Sequence, residues 1–166
     1  MITFVEGSLF SANKGFSLAQ CISGDVRYGM FRGISVQFLE HYPGLEQLRS
    51  YSVLNLGAVV PVKIRGKFIY NLITKPLHWH KPVPYNLFVA LKSMKSHASD
   101  NSVRDIAVPF LGSGLDRLDF FNVVFPMIET VFGGTNINIH VYCPASYKRL
   151  VILWTFCSIV VFTLPS

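Results

Sequence analysis

A run of strand composition, Asp105-Ile106-Ala107-Val108-Pro109-Phe110, passes across one leucine into Gly112-Ser113-Gly114 and then Asp116. Two glycines around a serine let the backbone bend tightly and approach a ligand closely, with successive N–H groups turned toward an anion. A carboxylate two residues later sits where a general acid or base could reach that ligand. The same residues could also make an ordinary strand-to-helix connection, with Asp116 as an N-cap. On either reading the chain needs a sheet whose strands hand over to loops and helices, and this narrows the fold.

The rest of the sequence supplies such elements. Ile2 to Glu6 alternates and stops at Gly7, and Ser17 to Ile22 is a second short apolar run that empties into a segment rich in glycine, Gly24 to Gly33. Helical spacing from Ile34 to His41 ends at Pro43-Gly44, and a short helix is expected over Leu45 to Tyr51. Val59 to Ile64 and Phe68 to Thr74 flank Arg65-Gly66-Lys67, as in a hairpin. A helix is expected from Pro84, with Leu87, Leu91, Met94 and Ala98 on one face and Lys92, Lys95 and His97 on a solvated one. Another is expected from about Asp119 to Phe132, kinked or restricted by Pro126. Gly133-Gly134 ends it, and Asn136 to Tyr142 alternates as a last strand. Interleaved strands and helices predict an α/β sandwich with a mixed sheet, whose ligands bind at the carboxyl ends of strands. The loops after Ile22, Thr74 and Phe110 are then the places to look.

At 166 residues a single domain with a real core is expected. Lysine and arginine total 15 against 9 acidic residues, a formal +6, which suits an anionic partner or serves solubility alone. Cys21, Cys143 and Cys157 show no metal-ligand spacing, and the first residues lack a signal-peptide layout. An intracellular, reducing setting with free thiols is therefore expected. After Lys148-Arg149, the apolar run Leu150 to Leu164 would span roughly 22 Å as a helix, short of a bilayer core of about 30 Å. A marginal tail anchor, a strand or helix buried on the domain, and a reading frame that overruns the domain all fit it, with no membrane span favoured. His78-Trp79-His80 offers two imidazoles but no third metal ligand nearby, so a loop over a pocket mouth is expected and no metal. Basic residues are scattered with no nucleic-acid motif.

Four segments in order resemble the macro domain family: Val5-Glu6-Gly7-Ser8-Leu9-Phe10, Ala19-Gln20-Cys21-Ile22-Ser23, Tyr70-Asn71-Leu72-Ile73-Thr74-Lys75, and Gly112-Ser113-Gly114-Leu115-Asp116-Arg117-Leu118. More narrowly they resemble the terminal ADP-ribose protein glycohydrolase and O-acetyl-ADP-ribose deacetylase branch. The resemblance runs from about Ile2 to Tyr142 and implies a three-layer α/β/α sandwich over residues 1–144, with 145–166 left as an apolar tail. It also implies an ADP-ribose pocket and hydrolysis of ester-linked ADP-ribose, with Lys75 as nucleophile, Asp116 as acid–base partner, no cofactor, and a monomer acting on ADP-ribosylated proteins.

By the same resemblance, Gly112, Ser113 and Gly114, with Phe110, Leu111 and Leu115 around them, wrap the diphosphate through backbone N–H groups. Leu9 and Ser23 match positions near the adenosine and its phosphate, and Cys143 and Pro144 lie near the adenine. Each has a structural alternative: Lys75 as a surface lysine, Leu9 as core, Ser23 as a turn residue, Cys143 as an apolar filler. Two departures stand out. Ser8 replaces the family's usual acidic residue, and Met30-Phe31-Arg32 makes the loop between Gly29 and Gly33 bulkier than the family pattern. A non-catalytic ADP-ribose reader and a basic interaction module are the rival expectations.

Overall fold

The computed structural model describes residues 1–26 and 32–144, together with the backbone of 161–163. Strands β1 (Ile2–Glu6), β2 (Ser17–Ser23), β3 (Val59–Ile64), β4 (Lys67–Lys75), β5 (Asp105–Val108), β6 (Asn138–Cys143) and β7 (Val161–Thr163) form one sheet in the order β3-β4-β2-β5-β6-β1-β7. Among the described residues only the β3–β4 hairpin is antiparallel. All other pairings are parallel, so β1, β2, β4, β5 and β6 end on the same edge. β7 adds to β1 through Thr3, Phe4 and Val5, so part of the expected apolar tail is a strand. No helix among the described residues is long and apolar enough to cross a membrane.

Helices α1 (Ile34–His41), α2 (Pro84–Asp100) and α3 (Phe125–Phe132) complete the sandwich. On one face α2 and α3 bury Leu87, Ala90, Leu91, Met94, Phe125 and Ile128 against Phe4, Tyr70, Leu72 and Val108. On the other, Phe38 of α1 and Leu45 and Leu48 of a 3-10 segment (Pro43–Ser50) cover Leu18, Ile22, Ile69 and Ile73. Each strand thus feeds two cores through its alternating faces. Where the strands are apolar on both faces, polar residues fix the pairing. Gln20 and Asn71 are fully buried register partners, joined by Gln20 Nε2 donating to Asn71 Oδ1 at 2.8 Å. The Asn71 amide also donates to Val60 O at 3.0 Å and Ile69 O at 3.1 Å.

Three local expectations change. β5 ends at Val108 rather than Phe110, because Pro109 has no N–H for the ladder. The expected helix from Asp119 divides: Asp119 accepts from the Asn122 N–H at 3.0 Å, a five-residue π-type turn spans Phe120–Val124, and α3 follows. Within it, Val124 N–H donates to Asp119 O at 3.2 Å and Phe125 N–H to Phe120 O. This wider ladder carries the chain into a proline that cannot donate, and Pro126 lies in the first turn of α3, where that is tolerated. Finally, Lys92 is exposed as expected, but His97 Nδ1 meets the Tyr70 hydroxyl at 3.2 Å and its ring packs edge-on to Phe68.

Candidate functional site

The carboxyl edge of the parallel strands opens into a cleft of about 1110 Å³. Its walls come from the segments after β1 (Gly7–Phe10), β2 (Ser23), β4 (Lys75 and His78–Pro82), β5 (Pro109–Leu118) and β6 (Pro144), with α1's first turn opposite. Topology alone places these loops together, because each follows a strand of the same direction.

Lys75 and Asp116 meet at the centre. Lys75 Nζ donates to Asp116 Oδ1 at 2.6 Å, and both side chains are about one-seventh exposed, 13% and 14%. The two residues are 41 positions apart and arrive from different strands. Lys75 closes β4 just past an irregularity in which Ile22 pairs Ile73 but Ser23 pairs Lys75. Beneath the pair lies Cys21, which the sequence offered no reason to single out. Burial pushes its thiol up to about 12, the Asp116 charge adds to this, and the Gly112 N–H and the Lys75 charge oppose it. It is a neutral lining group rather than a nucleophile.

The glycine turn is built for tight packing. Gly112 has φ +68, and a Cβ there would come within 2.7 Å of Leu118 Cδ1. Leu118 N–H donates to Gly112 O at 2.8 Å, and Arg117 N–H to Gly114 O at 3.2 Å. The Ser113 N–H is already committed to Phe110 O at 3.1 Å, and the Gly112 N–H faces Cys21. The N–H groups of Gly114, Leu115 and Asp116 have no backbone partner among the described residues. An anion held by this turn would therefore meet the groups one to three positions after Ser113. Phe110 stacks on Phe120 at 4.4 Å and Leu111 is buried in the core, so both anchor the turn from below. Leu115 is 68% exposed on the rim, close to Gly33.

The remaining expected residues divide between cleft and core. Leu9 is buried, and it both lines the cleft and packs into the core. Ser8 caps the short turn Leu9–Ser11 by accepting from the Phe10 N–H at 3.3 Å. Ser23 lines the cleft with a buried hydroxyl that makes no hydrogen bond of standard geometry. Pro144 is exposed on the wall, whereas Cys143 lies fully buried with Sγ 3.5 Å from Val5 O, as a filler. Most of the Gly29–Gly33 loop lies outside the described residues; Arg32 and Gly33 line the cleft mouth.

The loop His78-Trp79-His80 stands over the cleft as expected, but a hydrogen-bonded pair that the sequence did not reveal holds it. Asp25 Oδ2 accepts from His78 Nδ1 at 2.7 Å and from the His78 N–H at 3.2 Å. Gly24 N–H to Lys75 O (2.9 Å) and Asp25 N–H to Pro76 O (3.1 Å) tie the same two loops together. Among the described residues no three histidine, cysteine or carboxylate groups cluster as metal ligands.

No protein-family model matches the chain. Among curated proteins it is 45% identical over 141 residues to human ADP-ribose glycohydrolase OARD1, covering 85% of this chain and 90% of that protein. The bovine protein of the same name is 43% identical over 141 residues, with the same coverage. Among solved structures, the macrodomain of Thermus aquaticus DarG superposes with a TM-score of 0.75 at 24% identity, over 87% of this chain and 99% of that one. The sheet order, the cleft at its carboxyl edge and these identities agree, and the chain belongs to the macrodomain family, in the branch of ADP-ribose glycohydrolase OARD1.

Proposed function

We propose that the chain is an ADP-ribose hydrolase that releases mono-ADP-ribose from acidic side chains or deacylates O-acyl-ADP-ribose, with Lys75 as nucleophile and Asp116 as acid–base partner. The 2.6 Å contact between Lys75 Nζ and Asp116 Oδ1, largely sheltered in the cleft, carries this reading. A lysine attacks carbon only as the neutral amine, so one proton must leave Nζ first. Asp116 is within direct reach to take it, which leaves a neutral amine beside a carboxylic acid with no net change in charge. Attack of Nζ on C1″ of the distal ribose would expel the acyl carboxylate, and the proton on Asp116 would pass to that leaving group. That displacement leaves an N-glycosyl-lysine; breaking its C1″–ring-oxygen bond, with the ammonium proton passing to the ring oxygen, would give the Schiff-base-type adduct, and water added to it would return the lysine and free ADP-ribose. The unpartnered N–H groups of Gly114, Leu115 and Asp116 suit the diphosphate, and the buried Ser23 hydroxyl suits a neighbouring oxygen.

Single-turnover release of ADP-ribose from a glutamate-ADP-ribosylated protein tests the proposal. Wild type releases it, and Lys75→Ala and Asp116→Ala each slow release by at least about a hundredfold. Unchanged turnover in Lys75→Ala overturns the covalent route. Tight ADP-ribose binding with no release in wild type means that the chain is a reader.

A further inference from the structure

The cleft is larger than the roughly 300–1,000 Å³ of ordinary small-molecule sites, and it does not stop at Lys75 and Asp116. Past that pair its wall is His78 to Pro82, a strap with two imidazoles, an indole and an ammonium group. Trp79 is 66% exposed, and its ring contacts are edge-on to its own neighbours, His78 at 4.6 Å and His80 at 5.8 Å. Lys81 is exposed and makes no ion pair with any described residue. Arg32 and Arg117, likewise exposed and without ion pairs, add cations at the same mouth. Asp116 is the one carboxylate lining the cleft among the described residues, and Lys75 neutralises it. Asp25, on the loop after β2, is committed to His78.

The strap is also held in place. The Asp25 clasp fixes His78, the His80 N–H donates to Leu77 O at 3.0 Å, and Pro82 is buried. An exposed indole on a fixed cationic strap is costly to keep for solubility alone, and aromatic residues with neighbouring cations are the groups that anchor interfaces.

We infer that Trp79, His80 and Lys81 form an acceptor subsite that engages the polypeptide carrying the ADP-ribose and prefers segments with further aspartate or glutamate beside the modified residue. The inference rests on the hydrolase reading above, in which the leaving group is a protein carboxylate. Lys75 and the strap line the same cleft, so a carboxylate leaving C1″ beside Lys75 has the strap within the same walls. Charge complementarity selects an acidic segment, and the indole offers a face to its backbone and side-chain stems.

The test uses two synthetic peptides with one ADP-ribosylated glutamate, flanked by acidic residues in one and by lysines in the other, with O-acetyl-ADP-ribose as a substrate that has no polypeptide. In wild type at low salt, kcat/KM for the acidic peptide exceeds that for the lysine peptide about tenfold, and 0.5 M salt compresses the ratio. Lys81→Glu lowers the ratio about fivefold. Trp79→Ala lowers both peptides about fivefold when each is referred to O-acetyl-ADP-ribose turnover by the same variant. A flank ratio near one in wild type, a ratio that Lys81→Glu leaves untouched, or peptide turnover that Trp79→Ala leaves unchanged relative to O-acetyl-ADP-ribose, overturns the inference. So does competition by single-stranded RNA that Lys81→Glu abolishes while the peptide ratio stays near one. If no substrate is turned over but ADP-ribose binds, the hydrolase reading fails separately, and the same ratios are then required of the two peptides' dissociation constants.

Discussion

Three glycines separate the two costs of placing a side chain in the turn that lines the cleft. Gly112 has φ +68 and leaves a Cβ only 2.7 Å from Leu118 Cδ1; Gly134 has φ +70 but open space around it; Gly114 has open space and no positive φ. An L-residue held in the left-handed region costs about 1–2 kcal/mol. At Gly112 the Leu118 side chain must also move. It packs against the core, so an off-rotamer shift adds about 0.5–1.5 kcal/mol. Gly112→Ala is therefore expected to destabilise by about 1.5–3.5 kcal/mol, Gly134→Ala by about 1–2 and Gly114→Ala by less than about 0.5. For a chain of 166 residues each kcal/mol moves Tm by about 2–4 °C, so the losses of Tm are about 3–14 °C, 2–8 °C and below about 2 °C. Thermal unfolding at fixed protein concentration reads them directly. Repeating Gly112→Ala in a Leu118→Ala background removes the clash and leaves the backbone cost, so the extra loss should fall to that of Gly134→Ala. If Gly112→Ala is no worse than Gly114→Ala, or if the Leu118→Ala background changes nothing, the reasoning is refuted.

Two further outcomes follow from the titrating groups. Burial pushes the Asp25 carboxyl up, but the nearby Ser23 hydroxyl and the His78 imidazole and N–H outweigh it and hold it below 3.8. Its contribution is thus complete above the ordinary carboxylate value and is lost as pH falls through the lower folded value. Asp25→Asn should cost about 1–2 kcal/mol in urea unfolding at pH 7, and the gap to wild type should narrow below about pH 3.8; a gap that widens there contradicts the assignment. Cys21, with its thiol near 12, should alkylate with iodoacetamide at pH 8 about a thousandfold more slowly than a free cysteine, as read peptide by peptide; a rate near that of free cysteine would contradict its shielding.

Local pattern made much of the fold legible. β1 and the β3–β4 hairpin follow from alternation and from Arg65-Gly66, and α2 from Pro84 and the spacing of Leu87, Leu91, Met94 and Ala98. Strand order did not, because β2 lies between β4 and β5 through pairings that no periodicity encodes. Asp116 was marked by the glycine turn ahead of it, but Lys75 and its pairing with Asp116 came from resemblance, since nothing in a 41-residue separation predicts a 2.6 Å contact. Asp25 and His78 were missed for the same reason, and Cys21 because a lone cysteine in an apolar strand reads as core. The divided helix at Pro126 was half legible: the sequence marks the conflict, but only the backbone shows that a wider turn resolves it.

The buried Gln20–Asn71 contact has a reach beyond its own pocket. β2 and β4 are apolar along most of their length, and a slip of two residues would still match greasy side chains to greasy neighbours. The amide pair, with the Phe68 N–H donating to Ser17 Oγ at the start of the two strands, distinguishes one alignment from the next, so it works as an index mark between them. From that mark β4 runs four residues to Lys75 and β2 three to Ser23, and the irregularity at Ile22 absorbs the difference. A slip of two residues would carry Lys75 about 7 Å along the sheet, far from Asp116. The Lys75–Asp116 contact is thus gauged from an amide pair buried in the sheet, and replacing both amides by leucine would keep a sheet while losing the measure by which these two side chains find each other.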